Sequence, residues 1–116
     1  MDQGLGERLF NFAIDTIKFL ATLPKLPESQ IIRYQLAKSS TSSGANYEEA
    51  QAVSSRPDFA NKMKISLREM RESNYWLRIW LRSNFGDIIM NNKLLAESLE
   101  LKKILGSICS NTSKIF

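Results

Sequence analysis

SSTSSGANYEEAQAVSSRPDFANKMKISLREMRESNYWLRIWL, residues 39–81, decides the fold of this 116-residue chain. The run from Ser39 to Ala45 is built of small residues with poor intrinsic helix propensity. Even so, Ile31 to Leu36 before it and Tyr47 to Val53 after it share one helical phase, which predicts a single helix over about 27–53. Small residues persist inside a helix where a neighbouring backbone comes close, and their hydroxyls can bond back to the carbonyl one turn earlier. The alternative is a serine-rich linker that splits the element in two. The expected core stripe is Ile32, Leu36, Ser39, Ser43, Asn46 or Tyr47, Ala50 and Val53. Asn46 at a core-facing position would fix helix register. Glu49, on the inner side, would seek a basic partner on another helix.

Ser55-Arg56-Pro57-Asp58 is a helix start, with Ser55 able to cap, Pro57 suited to the first turn and Asp58 where a capping-box acid sits. The helix it opens runs to about Asn84, some 28 residues and about 40 Å. Phe59, Met63, Ser66, Met70, Asn74, Leu77 and Leu81 are spaced by threes and fours and make its core stripe. Ile65, Trp76 and Trp80 form a second apolar patch on a flank, mixed with Glu69 and Glu72. Lys64, Arg68, Arg71, Tyr75, Arg78 and Arg82 follow at helical intervals as a basic stripe with one aromatic set into it.

Upstream, a first helix over about 6–23 clusters Leu5, Leu9, Phe12, Thr16, Phe19, Leu20 and Leu23 on one side. Phe10, Ile14, Ile17 and Ala21 widen the apolar arc to roughly 200°, beyond the stripe that one core contact requires. The extra width reads as a subunit interface. Pro24 and Pro27 separate this helix from the next. Downstream, Gly86 can take the left-handed conformation that ends the third helix. Asn91 or Asn92 would cap a fourth helix to about 110, with core positions Leu94, Ser98, Leu101, Leu105 and Ile108. Asn111 to Phe116 reads as a frayed tail. The expected fold is all-α: an up-down antiparallel four-helix bundle, one domain over 1–116, with helices near 6–23, 27–53, 57–84 and 91–110.

Charge narrows the function. Residues 56–82 hold seven Lys/Arg against three acids, Asp58, Glu69 and Glu72, while the rest of the chain has nine of each sign. The whole net charge of +4 therefore sits on one segment, which favours an anionic partner such as RNA or DNA. The competing use of the arginines is ion pairing with Glu48, Glu49 or acids of a neighbouring subunit. Histidine is absent, so no histidine-based triad, zinc site or di-iron motif can be built. There is no Gly-rich phosphate loop, and Glu69-x-x-Glu72 lacks further ligands for a metal. No catalytic site, metal or cofactor is expected. One cysteine, Cys109, suits a reducing compartment, and the first apolar stretch is broken by Asn11, Asp15 and Lys18. A cytoplasmic protein that avoids the membrane is the simplest reading.

The segments Ser42-Ser43-Gly44-Ala45-Asn46-Tyr47-Glu48-Glu49-Ala50, Ser55-Arg56-Pro57-Asp58-Phe59 and Glu69-x-x-Glu72-x-x-Tyr75-Trp76-Leu77 together resemble a bacterial family. It is the four-helix-bundle family first noted as reading frames inside intervening sequences of 23S ribosomal RNA genes. Leu23-Pro24 and Glu100-Leu101-x-Lys103-Ile104-Leu105 extend the resemblance over nearly the whole chain. Ser43 and Ala50 depart from it, where many members carry isoleucine or valine and glycine, respectively. The resemblance implies a ring-shaped homopentamer, for which the surplus apolar residues read above, Phe10 and Ile14 on the first helix and Ile65, Trp76 and Trp80 on the third, are the expected subunit contacts. It marks Ser42, Ala45, Asn46, Glu49, Asp58 and Phe59 as the structural motif. A related protein, the accessory variability determinant of diversity-generating retroelements, works with a reverse transcriptase and RNA through a basic surface. The family name records genomic location, and no ribosomal function follows from it.

Overall fold

The computed structural model describes residues 4–115, which form four helices and no strand. They are α1 (Leu5–Leu20), α2 (Pro27–Ala52), α3 (Arg56–Arg82) and α4 (Ile88–Ile115). Each helix packs on its chain neighbours, and α1 also packs on α4, while α1/α3 and α2/α4 lie on the diagonals. The result is an antiparallel four-helix bundle, about 45 Å long.

All seven residues expected on the inner side of α1 and just after it are buried. Two polar contacts fasten the end of this helix. Arg33 of α2 donates to the Leu20 carbonyl at 2.7 Å, a group at the helix end that also accepts from the Leu23 amide at 3.2 Å. Thr22 accepts from the Asp87 amide at 2.9 Å and so ties α1 to the α3–α4 turn. At the other end, Arg8 grips Glu97 of α4 with two bonds of 2.8 Å.

α2 is unbroken across the small-residue run, so the linker alternative is excluded. Its hydroxyls do more than bond back within the helix. Ser39 and Ser73 of α3 share a hydrogen bond of 2.8 Å. Ser43 donates to the Ser66 carbonyl at 2.8 Å, and Ser66 returns a bond to the Ser43 carbonyl at 2.7 Å. All four serines are fully buried, so α2 and α3 meet along a buried hydroxyl seam. On the α1 side, a Cβ at Gly44 would stand 3.3 Å from Leu9 Cβ, tighter than ordinary contact. Asn46 departs from the expected role: its amide donates to the carbonyl and hydroxyl of Ser42 in its own helix, at 2.9 and 3.0 Å. A local acceptor four residues back satisfies it, and it bridges to no other helix through these bonds.

The start of α3 is as expected, with the Asp58 amide donating to Ser55 Oγ at 3.2 Å. Its far end is not. Trp80, placed by its spacing on an outer flank, is 2% exposed and belongs to the core, while Leu81 is only half-buried. Phe85 explains the exchange: it folds back from the turn, its amide bonding the Trp80 carbonyl at 3.2 Å, and its ring meets the indole edge-on at 6.2 Å. The turn itself carries Asn84 at φ 61° and Gly86 at φ 85°. α4 begins earlier than expected because Asp87 caps it, accepting from the Met90 amide at 2.9 Å. Asn91, expected as a cap, is buried and donates to the Leu77 carbonyl of α3 at 3.1 Å. At its other end α4 continues to Ile115 where fraying was expected, and Phe116 lies outside the described residues.

Candidate nucleic-acid interface

The 27 residues of α3 bury one face and present the opposite one to solvent. Lys64, Arg68, Arg71, Tyr75, Arg78 and Arg82 are all exposed on that outer face, at levels spanning about 27 Å of helix. Ion pairing among the described residues of the chain does not consume them. Among the described residues, acids lie within 4.0 Å of Arg8, Lys62 and Arg68, and Arg68 meets only its neighbour Glu69, at 3.6 Å. Glu49, a possible partner for the stripe, is instead held by Lys62 at 2.8 Å. It does find a basic partner on another helix, although it faces solvent and not the core. Lys64, Arg71 and Arg82 carry their charge into water without a hydrogen-bonded or ion-paired partner among the described residues.

Two features sharpen this face. Arg78 is held in place: Nε donates to Asn74 Oδ1 at 3.0 Å, and the guanidinium lies 5.6 Å from the Tyr75 ring centre. Tyr75, 48% exposed, is set in turn by an edge contact with Trp76, ring centres 5.0 Å apart. The positive field also reaches α4. Burial pushes the Cys109 thiol up from its ordinary pKa, while Lys64 and Arg71 pull it down. Lys102 lies two turns before Cys109 on the same side of α4. The Asn74–Ser98 bond of 2.9 Å aligns the antiparallel helices so that Lys102 stands near the level of Arg71. Sequence reasoning did not join Lys102 to the stripe, because only the α3–α4 alignment shows it.

The other sequence-derived residues separate into two groups. Phe10 and Ile17 are 58% and 52% exposed, and with Ile14 they rim an apolar groove of about 530 Å³ between α1 and α2. Gly44 and Ala45 line it on the α2 side. On α3, Ile65 and Trp76 are half-buried beside Glu69 and Glu72, and the indole of Trp76 donates to Glu72 at 3.4 Å. Trp80 contributes nothing to that flank. Phe59 is half-buried against the core. Among the described residues, no three carboxylate or thiol groups converge as a metal site would require. No helix among them is long and apolar enough to cross a membrane.

The family model for the 23S rRNA-intervening sequence protein matches residues 5–107. The chain belongs to that family. A search of curated proteins found no match. Among solved structures, this 23S rRNA-intervening sequence family member is similar to a protein of unknown function from Bacteroides thetaiotaomicron, described as of the S23 ribosomal protein family. The two are 30% identical over 90% of this chain and 97% of the other, with a TM-score of 0.82. That agreement spans all four helices and extends the bundle architecture to a relative of known crystal structure.

Proposed function

We propose that this member of the 23S rRNA-intervening sequence protein family is a non-enzymatic, ring-forming protein that binds the phosphate backbone of RNA or DNA through α3. One observation carries the reading: Lys64, Arg71, Arg78 and Arg82 stand on a single exposed face with no acid within ion-pairing distance among the described residues. A row of cations costs self-repulsion unless an anion neutralises it, and a phosphate chain does so along its length. Guanidinium groups suit the task because they bond phosphate at two points. Contacts of this kind position a backbone and read little sequence. Replacing Arg68, Arg71 and Arg78 together with alanine is expected to weaken binding by about 100-fold or more at low salt and to flatten its salt dependence. The check is fluorescence anisotropy with RNA and DNA at two salt concentrations, with oligomer mass followed in parallel. Unchanged affinity at unchanged mass would remove the stripe from the binding site. Dissociation of the variant would instead make the arginines interface residues.

A second reading, a protein-binding scaffold without nucleic acid, draws on the exposed apolar rim of α1. The ring and this reading share that surface, which supports association through the α1–α2 groove and the Ile65/Trp76 flank. Closed symmetry would bury the same patches on every subunit, and the family resemblance points to five. The double substitution Phe10→Glu and Ile14→Glu should then reduce the mass to that of one protomer while helicity stays as in the parent protein. Light scattering that finds the parent already monomeric at micromolar concentration would sink the ring.

A further inference from the structure

The basic face contains one arginine unlike the rest. Asn74 is 4% exposed, an amide set into the core directly beneath the stripe. Its Oδ1 accepts from Arg78 Nε at 3.0 Å, and its Nδ2 donates to Ser98 Oγ at 2.9 Å. Ser98, fully buried on α4, donates in turn to the Leu95 carbonyl at 2.8 Å. The polarity of this chain is forced. Arginine has no acceptor, so the amide must turn its oxygen outward, and its nitrogen must then find an acceptor inside. The Tyr75 ring lies alongside the guanidinium, at a distance where cation and ring attract. Arg78 is thus held at Nε and beside the Tyr75 ring, while the N–H groups at its outer end have no hydrogen-bond partner among the described residues.

We propose that Asn74, held by Ser98, is a positioning residue that pre-sets Arg78 to receive a phosphodiester group, making Arg78 the tightest contact of the stripe. This inference rests on the nucleic-acid reading above and adds which position dominates, and why. An exposed arginine ordinarily loses rotamer freedom when it binds, and that loss subtracts from affinity. At Arg78 the relay from α4 has already restricted the side chain. Lys64, Arg71 and Arg82 have no such restraint, so they supply charge and Arg78 supplies geometry.

The test uses a fluorescein-labelled oligouridylate and the matching oligothymidylate with the intact protein, with Arg78→Ala, Asn74→Ala and Ser98→Ala singly and with each of the last two combined with the first. Asn74→Ala is expected to weaken binding about tenfold although every cation is still present, so the salt dependence keeps its slope. Arg78→Ala should lose at least as much and also lower the slope. In the Arg78→Ala background the Asn74 substitution should have no further effect, because its action runs through that side chain. Ser98→Ala, a smaller change, should cost about threefold on the same terms and decides the question if Asn74→Ala does not fold. Parent-like affinity in Asn74→Ala, or an equal loss with and without Arg78, overturns the relay while leaving the stripe intact. Parent-like affinity in Arg78→Ala overturns the special place of Arg78. A parent protein that binds neither RNA nor DNA overturns the stripe itself, a different result from any of these.

Discussion

Replacing Trp80 with alanine is expected to destabilise the protein by about 3–5 kcal/mol, the range for removing a large buried aromatic side chain. The indole is 2% exposed and packs against Phe85, so its loss opens a cavity where α3 meets the final turn. A glutamate at the same place would be worse, since it would bury a charge with no partner. Trp76→Ala is the comparison: that ring is half-buried and should cost distinctly less. Urea unfolding followed by circular dichroism measures both. A cost below about 1 kcal/mol for Trp80→Ala would mean that the side chain is not in the core. The outcome also separates folding from assembly, because loss of Trp80 should lower helix content, not merely dissociate an oligomer.

Gly86→Ala should be nearly as severe, for two independent reasons. The residue sits at φ 85°, where a Cβ meets its own backbone and costs about 1–2 kcal/mol. A Cβ there would also stand 2.8 Å from the Phe19 ring and 2.9 Å from Leu23 Cδ2. Overpacking of this kind typically adds about 1–3 kcal/mol. A combined loss of about 2–5 kcal/mol should appear as a lower midpoint in thermal and urea unfolding. Neighbouring Asn84 also has positive φ, so Asn84→Gly is the control and should be neutral or mildly stabilising. A Gly86→Ala protein as stable as the parent would show that the turn can shift away from α1.

Much of this was legible in the sequence because helical periodicity reports burial directly. The inner side of α1 was identified residue by residue, and the Ser55 cap followed from local chemistry alone; Gly86 is left-handed as expected, but it is Asn84, next after the Ser83 cap, that turns the chain at the end of α3. Errors arose where a distant residue makes the choice. Trp80 and Leu81 straddle the line through Leu77, so azimuth alone favours the leucine, and Phe85 tips the balance from outside the helix. Asp87 reads equally well as the end of one helix or the cap of the next. The outer side of α3 was plain as a row of cations. The i,i+4 spacing of Asn74 and Arg78 lies in the sequence, but Ser98 behind Asn74 and Lys102 as an addition to the field were not visible, since both depend on how α3 and α4 align.

The hydroxyl seam has a consequence for the charged side of the molecule. Ser66 and Ser73 lie on α3 seven residues apart, almost in line, and the cations project from roughly 160° around the cylinder at about 100° per residue. Apolar side chains alone resist rolling only weakly, because one greasy contact replaces another. Paired hydroxyls do not permit that exchange: rotating α3 about its axis would strand buried oxygens and hydrogens without partners, at a cost of about 1–3 kcal/mol each. The seam therefore works as a keyway. Uncharged serines at the back of the helix determine the compass bearing of the arginines at the front.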